Sequence, residues 1–152
     1  MKDLKKMVVS IDLDKSSQEI VDLAIVMAKK MGSEIRFFHS VDFIESDSMS
    51  DMASQKFSYG DYNTKKCTHA DKIIKEFIKA STSDFQKYSI HVVVGDVVQG
   101  IVNFACSKNA DIIIMGTHGK QTQGKILLGS VAEQVLRVAN CPVLVMNPYR
   151  EI

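Results

Sequence analysis

The residues with the most obvious chemistry are MGTHGKQTQGKILLGS, positions 115–130. Gly116 lets the chain turn sharply as it leaves the apolar run before it. Gly119 lets the backbone come close to a bulky anion. Gly129 and Ser130 open a helix, whose unbonded N–H groups and dipole favour a phosphate. The Ser130 hydroxyl either adds a hydrogen bond to a phosphate oxygen or caps the helix. Taken singly, these glycines are ordinary turn and helix-end residues. Together with Ser130 they point to phosphate binding.

Two other phosphate motifs are excluded. Gly119 to Ile126 nearly matches G-x-x-x-x-G-K-(S/T), but Ile126 stands where a hydroxyl residue would hold magnesium. That match also begins several residues after the preceding strand, whereas a P-loop joins strand directly to helix. No G-x-G-x-x-G follows a strand. His118 is a loop histidine without an obvious acid partner in the sequence, so it reads as a surface or ligand-contact residue rather than a catalyst. His39, His69 and His91 lack metal-ligand spacing. Lys120 and Lys125 either pair with phosphates or are solvated loop charges.

The elements that position these residues follow from apolar periodicity. Short apolar, β-branched runs at Met7–Ile11, 34–41, 88–94, Asp111–Met115 and Cys141–Met146 read as strands. Helical spacing links Ile20, Leu23, Ala24, Met27, Ala28 and Met31, with a capping-box pattern at Ser16 and Glu19 and Gly32 at the end. A second helix starts at about Cys67. A third follows Asp96, and a fourth covers Gly129–Ala139. Residues 42–66, rich in Ser, Asp and Gly, read as a long flexible loop. Alternating strands and amphipathic helices predict a parallel sheet covered on both faces. In such sheets ligands sit beyond the carboxyl ends of the strands. Those ends hold Asp12, Ser40, Asp42, Gly95 and Gly116.

The bulk properties agree. A chain of 152 residues fits one domain, 1–152. A net charge of +1 gives no argument for a nucleic-acid partner. Cys67, Cys106 and Cys141 are widely spaced, which disfavours a disulfide framework or zinc site and suits reduced thiols in the cytoplasm. The first residues lack a signal-peptide pattern, and the longest apolar runs are too short to span a bilayer.

The spacing Gly116-x2-Gly119-x9-Gly129-Ser130 resembles the G-2x-G-9x-G-(S/T) pattern of ATP-binding universal stress proteins. The flanking DIIIMGTHG, LLGSVAEQVL and CPVLVM resemble that family as well, and so does VSIDLDKSS near the start. The resemblance covers nearly the whole chain apart from 42–66. It implies that Asp12 contacts adenine or ribose and that the backbone at Ser40 reads the adenine edge. Gly116 and Gly119 would surround ribose and phosphate, Thr117 and His118 of the same loop would touch the nucleotide, Met115 would flank it, and Gly129, Ser130 and Val131 would hold the phosphates. The expected fold is a single-domain, doubly wound α/β sheet of five parallel strands, order 3-2-1-4-5, with helices on both faces.

The expected ligand is ATP, or ADP or AMP, with magnesium or manganese bridging the phosphates. The expected role is regulation of a stress response, together with an unknown protein partner. Alternatives are a nucleotide-independent dimeric module and a slow ATPase or autophosphorylating protein. The resemblance also implies a homodimer through the last strand, where an apolar edge would need cover. Three departures stand out. Leu13-Asp14 replaces a common Gly-Ser and adds a negative charge near the site, Ser40 replaces a common apolar residue, and Gly124 adds a flexible point to the loop.

Overall fold

The middle of the sheet is apolar on both of its faces because helices cover both. The computed structural model describes residues 3–42, 59–81, 84–117 and 128–149, with 59–62 as backbone only. The order is β1 (Lys6–Ser10), α1 (Ser17–Met31), β2 (Glu34–Val41), α2 (Tyr59–Ser81), β3 (Tyr88–Val94), α3 (Val97–Ser107), β4 (Ile112–Gly116), α4 (Ser130–Val138) and β5 (Val143–Met146). All four strand pairings are parallel, in the order β3-β2-β1-β4-β5. The predicted α/β architecture and strand order are therefore what forms.

The central register sets Val9 beside Phe37 on one side and Ile114 on the other. Successive side chains alternate between faces. Met7 and Val9 point to the layer of α1 and α2, with Ile20, Ala24, Ile74 and Ile78. Val8 and Phe38 point to the layer of α3 and α4, with Ile101, Ala105, Ala132 and Val135. Each such Val, Ile or Phe contributes about 1.5–3 kcal/mol on burial, less the entropy of ordering it. Reversal of strand order between β1 and β4 opens a crevice at their carboxyl ends.

Local signals were met unevenly. Asp96 caps α3 by accepting from the Gln99 N–H at 2.8 Å. Gly32 ends α1 at φ 66°, a left-handed conformation that suits glycine. The predicted capping box at Ser16 does not form. Ser16 is itself helical, at φ −67° and ψ −22°, and makes no side-chain cap. Its hydroxyl donates to the Asp14 carboxylate at 2.5 Å instead. Helix α2 begins at Tyr59 rather than near Cys67. Residues 43–58, the larger part of the expected loop, lie outside the described residues.

Candidate functional site

The carboxyl ends of the strands surround a cleft of about 680 Å³, within the usual range for a small-molecule site. β1, the start of α1 and β2 build its floor and its first wall. β1 ends at Ser10; the N–H of Ile11, next in the chain, donates to the Phe38 carbonyl at 3.0 Å, and the chain then turns through Asp12 and Leu13 into the cleft lining. The buried Ser17 hydroxyl donates to the Asp12 carbonyl at 2.6 Å, which fixes the turn between β1 and α1. From β2 come His39, Ser40, Val41 and Asp42. The Ser40 hydroxyl donates to the Gly95 carbonyl at 2.8 Å, so this side chain is engaged with the end of β3. The buried His39 ring meets the Ile11 carbonyl at 2.8 Å through Nδ1. A carbonyl only accepts, so Nδ1 carries the proton there.

The opposite side is built from β4 and the start of α4. Met115, Gly116 and Thr117 line the cleft, as do Gly129, Ser130 and Val131. The Thr117 N–H donates to the Met146 carbonyl at 2.8 Å, and the Gly129 N–H donates to the Thr117 carbonyl at 2.6 Å. That second bond pins the amino end of α4 beside the end of β4. Gly129 is extended, at φ −73° and ψ 160°, and caps α4 without a side chain. The first turn of a helix has N–H groups without intrahelical partners, and here that turn faces the cleft. Gly116 does not form the sharp turn expected from its sequence. It is the last residue of β4, paired with Met146, and among the described glycines only Gly32 and Gly95 have positive φ.

Eight of the ten residues singled out from the sequence therefore line one cleft: Asp12, Ser40, Met115, Gly116, Thr117, Gly129, Ser130 and Val131. His118 and Gly119 lie outside the described residues, as do Lys120, Gly124 and Lys125. Asp14 accepts a hydrogen bond from the Ser16 hydroxyl at 2.5 Å. Among the described residues no group of His, Cys, Asp or Glu is arranged to hold a metal ion. None of their helices is long and apolar enough to cross a membrane.

Among the lining residues that sequence reasoning missed, three are on α2. Lys66, His69 and Ile73 line the cleft from that helix. Their spacing of three and then four residues is a helical-face signal. It goes unread when residues up to 66 are assigned to a loop.

The universal stress protein family model matches residues 3–147. Universal stress protein MJ0531 of Methanocaldococcus jannaschii is 31% identical over 153 aligned positions, covering 97% of this chain and 85% of the relative. Among solved structures, protein MJ0577 of the same organism superposes with a TM-score of 0.79 at 26% identity, covering 99% of each chain. A universal stress protein in complex with cAMP superposes with a TM-score of 0.67 at 22% identity, covering 97% of this chain and 99% of that one.

Proposed function

The chain belongs to the universal stress protein family, and on that premise we propose that it binds ATP in the cleft between the ends of β1, β2 and β4 and the start of α4, as a regulatory protein of a stress response. The observation that carries this reading is the 2.6 Å bond from Gly129 to Thr117. It holds a helix amino end, the natural seat for a phosphate, against the strand end where the sheet order reverses. Asp12 and the backbone at Ser40 lie across the same cleft. One end of the cleft thus offers N–H groups and the other apolar side chains with a carboxylate, which suits the two ends of a nucleotide. The cAMP complex of the related protein supports an adenine nucleotide as the class.

The glycine and serine positions match the ATP-binding pattern of the family, which favours ATP over a nucleoside monophosphate. Magnesium or manganese would neutralise the triphosphate through its own oxygens. Asp12, Gly129, Ser130 and Val131 bind and orient the ligand, and Met115 flanks it. Turnover is not needed for this role. A ligand that ties α4 to β4 and Asp12 together stabilises one arrangement of the cleft rim, and the surface offered to a protein partner changes with it. Isothermal titration with ATP and magnesium should give saturable, single-site binding. No binding at millimolar ATP would remove the reading.

A second element of the proposal is a homodimer through β5. This strand is one of the two sheet edges, and its four residues are all half-buried. Leu136, Val138 and Tyr149 are large, exposed apolar or aromatic residues in α4 and just after β5. An apolar edge of this kind gains from a covering strand. Light scattering at micromolar concentration should give twice the chain mass, and a monomer would contradict the dimer.

A further inference from the structure

Helix α2 is longer than its crossover requires. Its 23 residues span roughly 34 Å, whereas the 15 residues of α1, which make the neighbouring crossover, span roughly 22 Å. The last turns of α2 are fixed to the first turn of α1. The Gln18 side-chain amide donates to the Phe77 carbonyl at 3.0 Å and to the Ser81 hydroxyl at 2.6 Å, and Ser81 in turn donates to the Asp22 carboxylate. Gln18 is the second residue of α1, near the carboxyl ends of the strands. The part of α2 that precedes Phe77 therefore runs on past the start of α1. Residues 66–73 lie four to eleven positions earlier, roughly 6–17 Å farther along the helix. This stretch overhangs the cleft as a wall. Lys66, His69 and Ile73 form its lining face, beside the face of Ala70, Ile74 and Ile78 that enters the core.

The two sides of the cleft differ in what they offer. The α1–α2 side has the apolar Ile11, Leu13, Ile20 and Ile73 together with Lys66 and His69, whereas the other layer has Val97, Met115 and Val131 and the helix amino end at Gly129 and Ser130. A nucleotide that sets its phosphates at the α4 amino end has α2, in the opposite layer, available to its base. We propose that α2 is the base-recognition wall of the cleft, with Ile73 packed against the purine and the His69 imidazole stacked over its outer face. These two residues would then set affinity for the base, independently of the phosphates. The inference rests on the nucleotide reading above and deepens it.

The test is titration of adenosine, ATP and inorganic triphosphate against the wild-type chain, His69→Ala, Ile73→Ala and His69→Phe. His69→Ala should weaken adenosine and ATP by the same factor, roughly tenfold, given the usual worth of base stacking. Triphosphate binding should not change, and His69→Phe should restore both nucleoside affinities. His69 is exposed, so its loss spares the core even where Ile73→Ala costs stability. Adenosine affinity within about twofold of wild type in both alanine variants would overturn the α2 assignment and leave the nucleotide reading standing. A wild-type chain that binds neither ATP nor adenosine would overturn both.

Discussion

The two ends of the sheet use similar residues for opposite purposes. At the amino end, the buried Asp111 carboxylate accepts from the Lys5 and Lys6 N–H groups at 3.0 and 2.9 Å. The Lys5 ammonium donates to the Met31 carbonyl at 3.0 Å, and the Ser33 hydroxyl to the Leu4 carbonyl. Polar groups there are turned inward on the chain and tie β1 to β4 and to the end of α1. At the carboxyl end, Asp12, Ser130 and the first turn of α4 face a cleft. An aspartate next to a strand is thus a structural pin in one place and a candidate ligand contact in the other. The neighbouring backbone decides which: N–H groups converge on Asp111, while the chain around Asp12 opens toward the sheet's switch point.

This contrast predicts that damage at the two ends separates stability from binding. The largest effect should come from Asp111→Ala, which leaves the Lys5 and Lys6 N–H groups without their carboxylate. Hydrogen bonds to a charged group are worth about 1.5–3 kcal/mol, so urea denaturation should show a loss of about 2–3 kcal/mol. ATP affinity of the folded fraction should stay unchanged. Gly129→Glu should do the reverse. The extended backbone at Gly129 accepts any residue, but a carboxylate there repels phosphate. ATP affinity should fall at least about tenfold, or about 1.4 kcal/mol, with little change in melting temperature.

The smallest effect concerns His91, on the edge strand β3 and clear of both ends' chemistry. Burial, then the nearby positive charges of Lys108 and Arg36, hold its pKa below the ordinary 6.5. The unfolded chain therefore binds the proton more readily than the folded one. Stability from this group is complete above about pH 6.5 and is lost as pH falls through the lower native value. Melting temperatures between pH 8 and pH 5 should fall more steeply for wild type than for His91→Gln. Equal slopes would exclude His91 as a source of the acid sensitivity.

Much of this arrangement is legible in the residues themselves. The runs VVS, IIIM and VLVM announce buried parallel strands, and the polar or small residues after them mark the cleft end. The reading failed where a residue has two plausible local roles. Ser16 and Glu19 match a capping box, yet Asp14, two residues before Ser16, offers its hydroxyl a stronger acceptor. Gly116 reads as a turn, but β5 arrives beside it and extends the ladder through Gly116 and Met146. The start of α2 was hidden because YGDYNTKK, residues 59–66, carries no apolar period. Its contribution to the cleft depends on how far the helix overhangs the sheet, which the Gln18–Ser81 contact sets across 63 positions of sequence.

Amide chemical-shift mapping during an ATP titration tests the central claim most directly. Gly116, Thr117, Gly129, Ser130 and Val131, with Asp12 and Ser40, should shift together and saturate at one equivalent, while Lys5, Lys6 and Asp111 stay still. Shifts confined to the amino end of the sheet, or none at saturating ATP, would contradict the account.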